Sequence, residues 1–236
     1  HEEVEKANQS QSLRFKIQIG GSEMAGQKVD FKKDPQAGYQ ATIKPVIIDR
    51  PASRFIMVDG KGDPNTSVAY KQAVELIYAL SYTIKMSPKR QDVPDGYFDY
   101  VVPPLEGLWW LGNNEQPIDK TLDKAQFNWT AMIRQPDFVT ADVFERALAV
   151  VSQKKPELDS SRACLATFSE GLCAQVLHLG TYDEEPETIA RLDAFISASG
   201  YAVDISGTRK HHEIYLNDPR RTAPEKLKTI IRHPIK

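Results

Sequence analysis

One order of segments occurs twice in this chain, and the repetition restricts its fold more than any other feature: a strand ending in glycine, an acidic residue followed by proline, an amphipathic helix, and further strand. In the first half "FIMVDGKG" precedes Asp63-Pro64 and "NTSVAYKQAVELIYALSYTIK"; in the second "AQVLHLG" precedes Glu185-Pro186 and the rest of "EEPETIARLDAFISASGY". Ala69, Ala73, Leu76, Ile77 and Leu80 recur at helical spacing behind a capping Thr66 or Ser67. Ile189, Leu192 and Ile196 do the same behind Pro186, with Gly200 as the stop. Strand-like segments follow each helix: "YFDYVVPPLEGLWWLG" and "FNWTAMIRQP" after the first, "HHEIYL" after the second. Two such units can each bury a sheet face under a helix and curve around a shared cleft, so the expected class is α+β with two pseudo-symmetric modules. The strands are too short and the helices too few for a doubly wound sheet.

The remaining segments fit around this frame. Thr140 caps a third amphipathic helix in "ADVFERALAVVSQKK", and "CLATFSEGLCAQVLHLG" reads as a hairpin around Ser169-Glu170-Gly171. The basic tail "RRTAPEKLKTIIRHPIK" has helical apolar spacing and reads as a solvated cap. Residues 1–23 stand apart: a polar start, an alternating "LRFKIQI" with the period of a strand, then "GGSE". They are expected to be a tag or upstream extension, leaving a single domain over 24–236.

Composition narrows the function classes. The 236 residues carry 30 Lys plus Arg against 32 Asp plus Glu, so no basic excess exists to neutralise a nucleic-acid backbone, and nucleic acid is not an expected partner. No apolar run is long enough to span a bilayer, so no membrane partner is expected either. With no secretory pattern and only Cys164 and Cys173, a reduced, cytoplasmic setting is expected, the two cysteines being inert, buried hairpin residues. "DGKGDPNTS" lacks phosphate-loop spacing, and no G-x-S-x-G, H-E-x-x-H or C-x-x-C occurs, so no cofactor or metal is expected.

Two groups of residues invite chemistry. All three tryptophans fall in the two middle strands; Trp109 and Trp110 are neighbours and must point to opposite faces, so one fills core and the other lines a cavity or is exposed. Together with Trp129 they form a candidate wall for a flat ligand. On the last recognisable strand His211, Glu213, Tyr215 and Asn217 share one face, while His212, Ile214 and Leu216 share the other, expected to be the buried one. Glu213 is then either solvated or inside a cleft. Glu106, in "LEGLWW", is the rival acid, and His178 and Tyr182, in "HLGTY", are further ligand-contact candidates.

The stretches "FIMVDGKGDPNTS", "YTIKMSPK", "FDYVVPPLEGLWW", "WTAMIRQPDFVT", "GLCAQVLHLGTYDEEPETI" and "HHEIYLNDPRRTAPEKLKTIIRHPIK" resemble the GyrI-like small-molecule-binding proteins, in the branch without a DNA-binding domain, from about Val29 to Lys236. The resemblance implies tandem strand-helix-strand-strand modules with a pocket between them. It also implies a planar hydrophobic, often cationic ligand. Stand-alone members resemble hydrolases that open the cyclopropane of cyclopropanoid DNA-alkylating compounds with water, and the glutamate of the last strand, Glu213 here, would be the base, with Trp and Tyr side chains packing the ligand. Sequestration of drugs without turnover, and an interaction with gyrase suggested by the family name, are the alternatives.

Overall fold

The computed structural model describes residues 28–112 and 124–236; the extension over 1–23 and its strand-like "LRFKIQI" lie outside the described residues. The described chain forms β1 (Val46–Arg50), β2 (Ser53–Lys61), α1 (Val68–Lys85), β3 (Leu105–Leu111), β4 (Phe127–Arg134), α2 (Ala141–Lys154), β5 (Ala163–Phe168), β6 (Gly171–Leu179), α3 (Glu185–Ala198), β7 (His211–Tyr215) and β8 (Lys228–Pro234). Ser67 Oγ accepts the Tyr70 N–H at 3.3 Å and Thr140 Oγ1 the Val143 N–H at 3.4 Å, so both expected caps start their helices. Pro186 stands in the first turn of α3, and Gly200, with φ of 81°, follows its end.

The strands pair antiparallel in the order β1-β6-β8-β7-β3-β4-β2-β5. The duplication is visible in it: β2, β4 and β3 with α1 make one module, β6, β8 and β7 with α3 the other, and β3 joins β7 at the centre. In that central pairing Gly107 faces Glu213. Counting two residues on from each gives Trp109 and Tyr215, so the pseudo-two-fold axis passes through the Gly107–Glu213 pair. One face of the sheet is covered by helices. Ile56, Val58, Trp129, Ala131 and Ile133 pack with Ala73, Leu76, Ile77 and Leu80 of α1, and Ala174, Val176 and Ile231 pack with Leu192 and Ile196 of α3. α2 lies against α1 through Val143, Phe144, Ala147 and Val151.

Three expectations fail at this level. β5 and β6 form no hairpin: β5 pairs with β2 and β6 with β1. The register is continuous, with Val46 opposite Gln175, Arg50 opposite Gly171, Ser53 opposite Phe168 and Val58 opposite Ala163. Two long strands thus run side by side and change module together at residues 51–52 and 169–170. Two residues span less than about 10 Å, so the ends of the sheet must bend towards each other. Cys173 is buried as expected, whereas Cys164 is exposed. The C-terminal tail is no helix but β8, buried between β6 and β7. Leu227, Ile230 and Ile231 suit either period, and the β-branched Thr229-Ile230-Ile231 decided it once a strand vacancy existed on both sides.

Candidate functional site

Glu213 projects from β7 onto the helix face at the module boundary, and residues from both modules converge on it. Its Oε2 accepts the Tyr215 hydroxyl at 2.6 Å, and the Tyr215 oxygen accepts the Trp109 indole N–H at 3.0 Å. Its Oε1 lies 3.0 Å from His211 Nε2. The aromatic rings close around this chain: Tyr70, in the first turn of α1, lies 5.7 Å from the Trp109 ring and 5.0 Å, edge-on, from that of Trp129. Tyr182 meets Tyr215 edge-on at 5.7 Å. Gly107 makes the meeting possible, since a Cβ there would come within 2.6 Å of the Trp109 Nε1 and 3.1 Å of the Tyr215 hydroxyl.

A second carboxyl comes from the first turn of α3. Glu185 is 5% exposed, and its Oε1 has no hydrogen-bond partner of ordinary geometry. Burial, then the neighbouring Glu213 carboxylate, raises its pKa well above the usual carboxylate range. Burial also works against ionisation of Glu213, but hydrogen bonds from His211 and Tyr215 and the charge of His211 outweigh it, and its pKa is lowered. The two neighbouring carboxyls therefore have opposed proton affinities, Glu213 favouring the ionised form and Glu185 the protonated one. This is the division of labour expected of a base and an acid. Burial followed by the Glu213 charge raises the Tyr215 pKa, so its hydroxyl remains a donor, and burial and Glu185 push Tyr182 up to about 12.

The structure divides the residues singled out from sequence. It brings Glu213, Tyr215, Trp109 and Tyr182 together, with Trp129 fully buried behind Tyr70. Trp110 is on the opposite face with Phe55, Leu108 and Met132, under the ammonium of Lys210 at 4.8 Å. His178 stands aside as a clamp on the start of α3: Nδ1 is 2.9 Å from Thr188 Oγ1 and Nε2 is 2.9 Å from the Thr181 carbonyl. Glu106 also faces away. It accepts the Tyr39 hydroxyl at 2.6 Å and contacts His212 Nε2 at 2.9 Å; His212 in turn contacts Glu170, which Arg232 holds at 3.1 Å. In that network burial disfavours the His212 charge, but Glu170 and Glu106 raise its pKa to about 9. Burial likewise opposes ionisation of Glu170, yet His212 and Arg232 bring it to about 2. A cavity of about 20 Å³ adjoins these groups, room for little more than water. The His212 face of β7 is buried as expected, and of the two alternatives for the Glu213 face it is the solvated one that fails: His211 and His212 are 2% and 1% exposed, with α3 on one side and residues 37–39 on the other.

Sequence reading missed Tyr70, Glu185, His233 and Asp193. The only signal for Glu185 was its place in the Glu185-Pro186 helix entry, and helix N-termini favour acids for their own sake, which masked it. Among the described residues no group of three or more His, Cys, Asp or Glu side chains has metal-holding geometry, and no helix is long and apolar enough to cross a membrane.

Comparison with known proteins agrees with this architecture. A model of the GyrI-like small-molecule-binding domain matches residues 43–236, a span that contains both modules and every residue of the Glu213 cluster. An uncharacterized conserved protein from Listeria innocua of known structure is 47% identical over 89% of this chain and 100% of its own, with a TM-score of 0.82. A hydrolase from the same species is 45% identical with the same coverage and a TM-score of 0.80. A search of curated proteins finds no match. With the domain matched over both halves of the duplication, the chain belongs to the GyrI-like small-molecule-binding domain family.

Proposed function

We propose that the protein binds a planar hydrophobic small molecule against Trp109, Tyr70, Tyr215 and Tyr182 and hydrolyses it, the substrate class being cyclopropanoid DNA-alkylating compounds. The observation that carries this reading is the meeting of Glu213 and the buried Glu185 beside the rings of Trp109, Tyr70, Tyr215 and Tyr182, with the proton affinity of Glu213 lowered and that of Glu185 raised. A binder needs no proton donor beside its carboxylate. The 45%-identical Listeria protein described as a hydrolase supports the reaction class. In a spirocyclopropane conjugated to a dienone, Glu213 takes a proton from water as the water oxygen bonds to the cyclopropane methylene. The breaking C–C bond sends its electron pair into the dienone, whose oxygen takes the proton of Glu185 and becomes a phenol. Transfer of the new proton from Glu213 to Glu185 restores both groups, and the sum is addition of one water.

The test is Glu213→Gln. Ring opening of a spirocyclopropane alkylator, followed by mass spectrometry as gain of one water, should fall by roughly two to four orders of magnitude while affinity for the neutral compound is kept. The competing reading, sequestration of cationic drugs, draws on the same carboxylate among aromatic rings. Under it the wild type leaves the alkylator unchanged, and Glu213→Gln weakens cationic ligands more than neutral ones.

A further inference from the structure

The hydrogen bonds of Glu213 do not end at His211. His211 Nδ1 is 2.8 Å from His233 Nε2, and His233 Nδ1 is 2.6 Å from Asp193 Oδ1 on α3. His211 and His233 are buried neighbours on β7 and β8, their rings 5.0 Å apart. The Asp193 side chain is 38% exposed, that of Glu213 only 14%. The chain of contacts therefore leads from the enclosed carboxylate to a solvent-facing one eight residues along α3 from Glu185, a rise of about 12 Å.

Counting protons shows what such a chain does. Three contacts link two carboxyls and four ring nitrogens, and each needs one proton. With the protons on Glu213, His211 Nδ1 and His233 Nδ1, all three bonds are made and Asp193 is ionised. With the protons on His211 Nε2, His233 Nε2 and Asp193, all three are made again and Glu213 is ionised. Moving each proton across its own hydrogen bond converts one arrangement into the other. The net result is one proton carried from Glu213 to Asp193, with total charge unchanged and neither ring turned. A middle arrangement, with both carboxylates ionised and one imidazolium between them, also satisfies every bond. Burial, outweighing Asp193, lowers the pKa of His233 and so disfavours the charge on that ring.

We propose that His211, His233 and Asp193 form a proton relay that connects Glu213 with solvent on the α3 side of the molecule. The role rests on Glu213 being the base of the proposed hydrolysis. If product leaves as a phenol, Glu213 and Glu185 reset each other; if it leaves as a phenolate, one proton stays behind, and the relay removes it while the aromatic enclosure is occupied. Asp193 and His233 are then positioning and proton-carrying groups that never touch substrate.

Asp193→Asn tests this, because the amide oxygen still accepts the His233 N–H but does not take up its proton. With an alkylator in excess and at a pH above the pKa of the product phenol, where product leaves as phenolate and each turnover leaves one proton on Glu213, sustained turnover should fall about tenfold, less than the loss of the base itself, while the first turnover on mixing keeps its wild-type rate. Unchanged sustained turnover, or first and later turnovers reduced alike in a folded protein, overturns the relay. A second measurement needs no substrate. The groups facing the two rings are Glu213 on β7 and Asp193 on α3, with Glu185 behind Glu213 and Glu170 acting on His233 from beyond the sheet. In ring-nitrogen NMR Asp193→Asn should lower the pH at which His233 binds its proton, since Asp193 favours the charged ring, and should also shift the nitrogen signals of His211, which the His233 ring contacts at 2.8 Å. His211 signals left unmoved by Asp193→Asn overturn the relay. A wild type without ring opening removes the hydrolase reading, and the NMR titration alone then decides whether the relay exists.

Discussion

At the scale of single residues, the site depends on an asymmetry at the pseudo-two-fold axis: one module supplies Glu213 and the other Gly107. A second acid there would face the first across the strand pair and neither would stay ionised at low cost; a glycine instead leaves the floor open for Trp109 and Tyr215 to meet above it. Gly107→Ala should part that contact and cost about 1–3 kcal/mol, read as a lower Tm together with loss of the tryptophan quenching that a planar hydrophobic ligand should cause in the wild type. Glu185 gives a pH-dependent prediction. Its folded pKa is raised by burial and by Glu213, so at neutral pH folding must hold protonated a group that ionises in the unfolded chain. The associated stability is full below the unfolded pKa and is lost as pH rises towards the folded one. Glu185→Gln should therefore raise Tm relative to wild type at pH 7 and much less at pH 4. Equal shifts at the two pH values would refute the protonated Glu185.

At the scale of elements, α3 is the part whose placement matters most, since it brings Glu185 and Asp193 to strands of its own module. His178 on β6 fixes its start through Thr188 and Thr181, and Gly180, with φ of 126°, turns the chain into it where a side chain would be strained. His178→Ala would leave the Thr188 hydroxyl and the Thr181 carbonyl without their buried partner and open a cavity. The expected cost is about 2–3 kcal/mol, or roughly 4–12 °C in Tm for a chain of this size, with ligand affinity falling as Glu185 shifts. An unchanged Tm would show that α3 is held by Leu192 and Ile196 alone. The start of α3, its stop and its apolar stripe were all legible in sequence. What His178 does there was not, because a buried histidine bonded to local backbone and one facing a ligand leave the same mark in a single sequence.

At the scale of the whole molecule, the two modules are not independent. β1-β2 and β5-β6 each run through both of them in one continuous register, so neither half can complete its sheet without strands from the other. Thermal unfolding should accordingly be one transition. All three tryptophans lie in the first module, so their fluorescence reports on that half while far-ultraviolet circular dichroism reports on both; midpoints that differ would mean the halves unfold separately. Local pattern encodes the α+β class, the duplication, the helix caps and stops, and Glu213 with Tyr215 two residues on along one strand, because periodicity and capping are properties of neighbouring residues. Tertiary structure alone decided which strands exchange partners, that the C-terminal tail fills the gap between β6 and β7, that Trp109 and not Trp110 meets Tyr215, and that Glu185, His233 and Asp193 line up with Glu213. Those outcomes depend on registers between segments far apart in the chain, where the free energy comes from burying shared surface and matching donors to acceptors, and no local pattern records it.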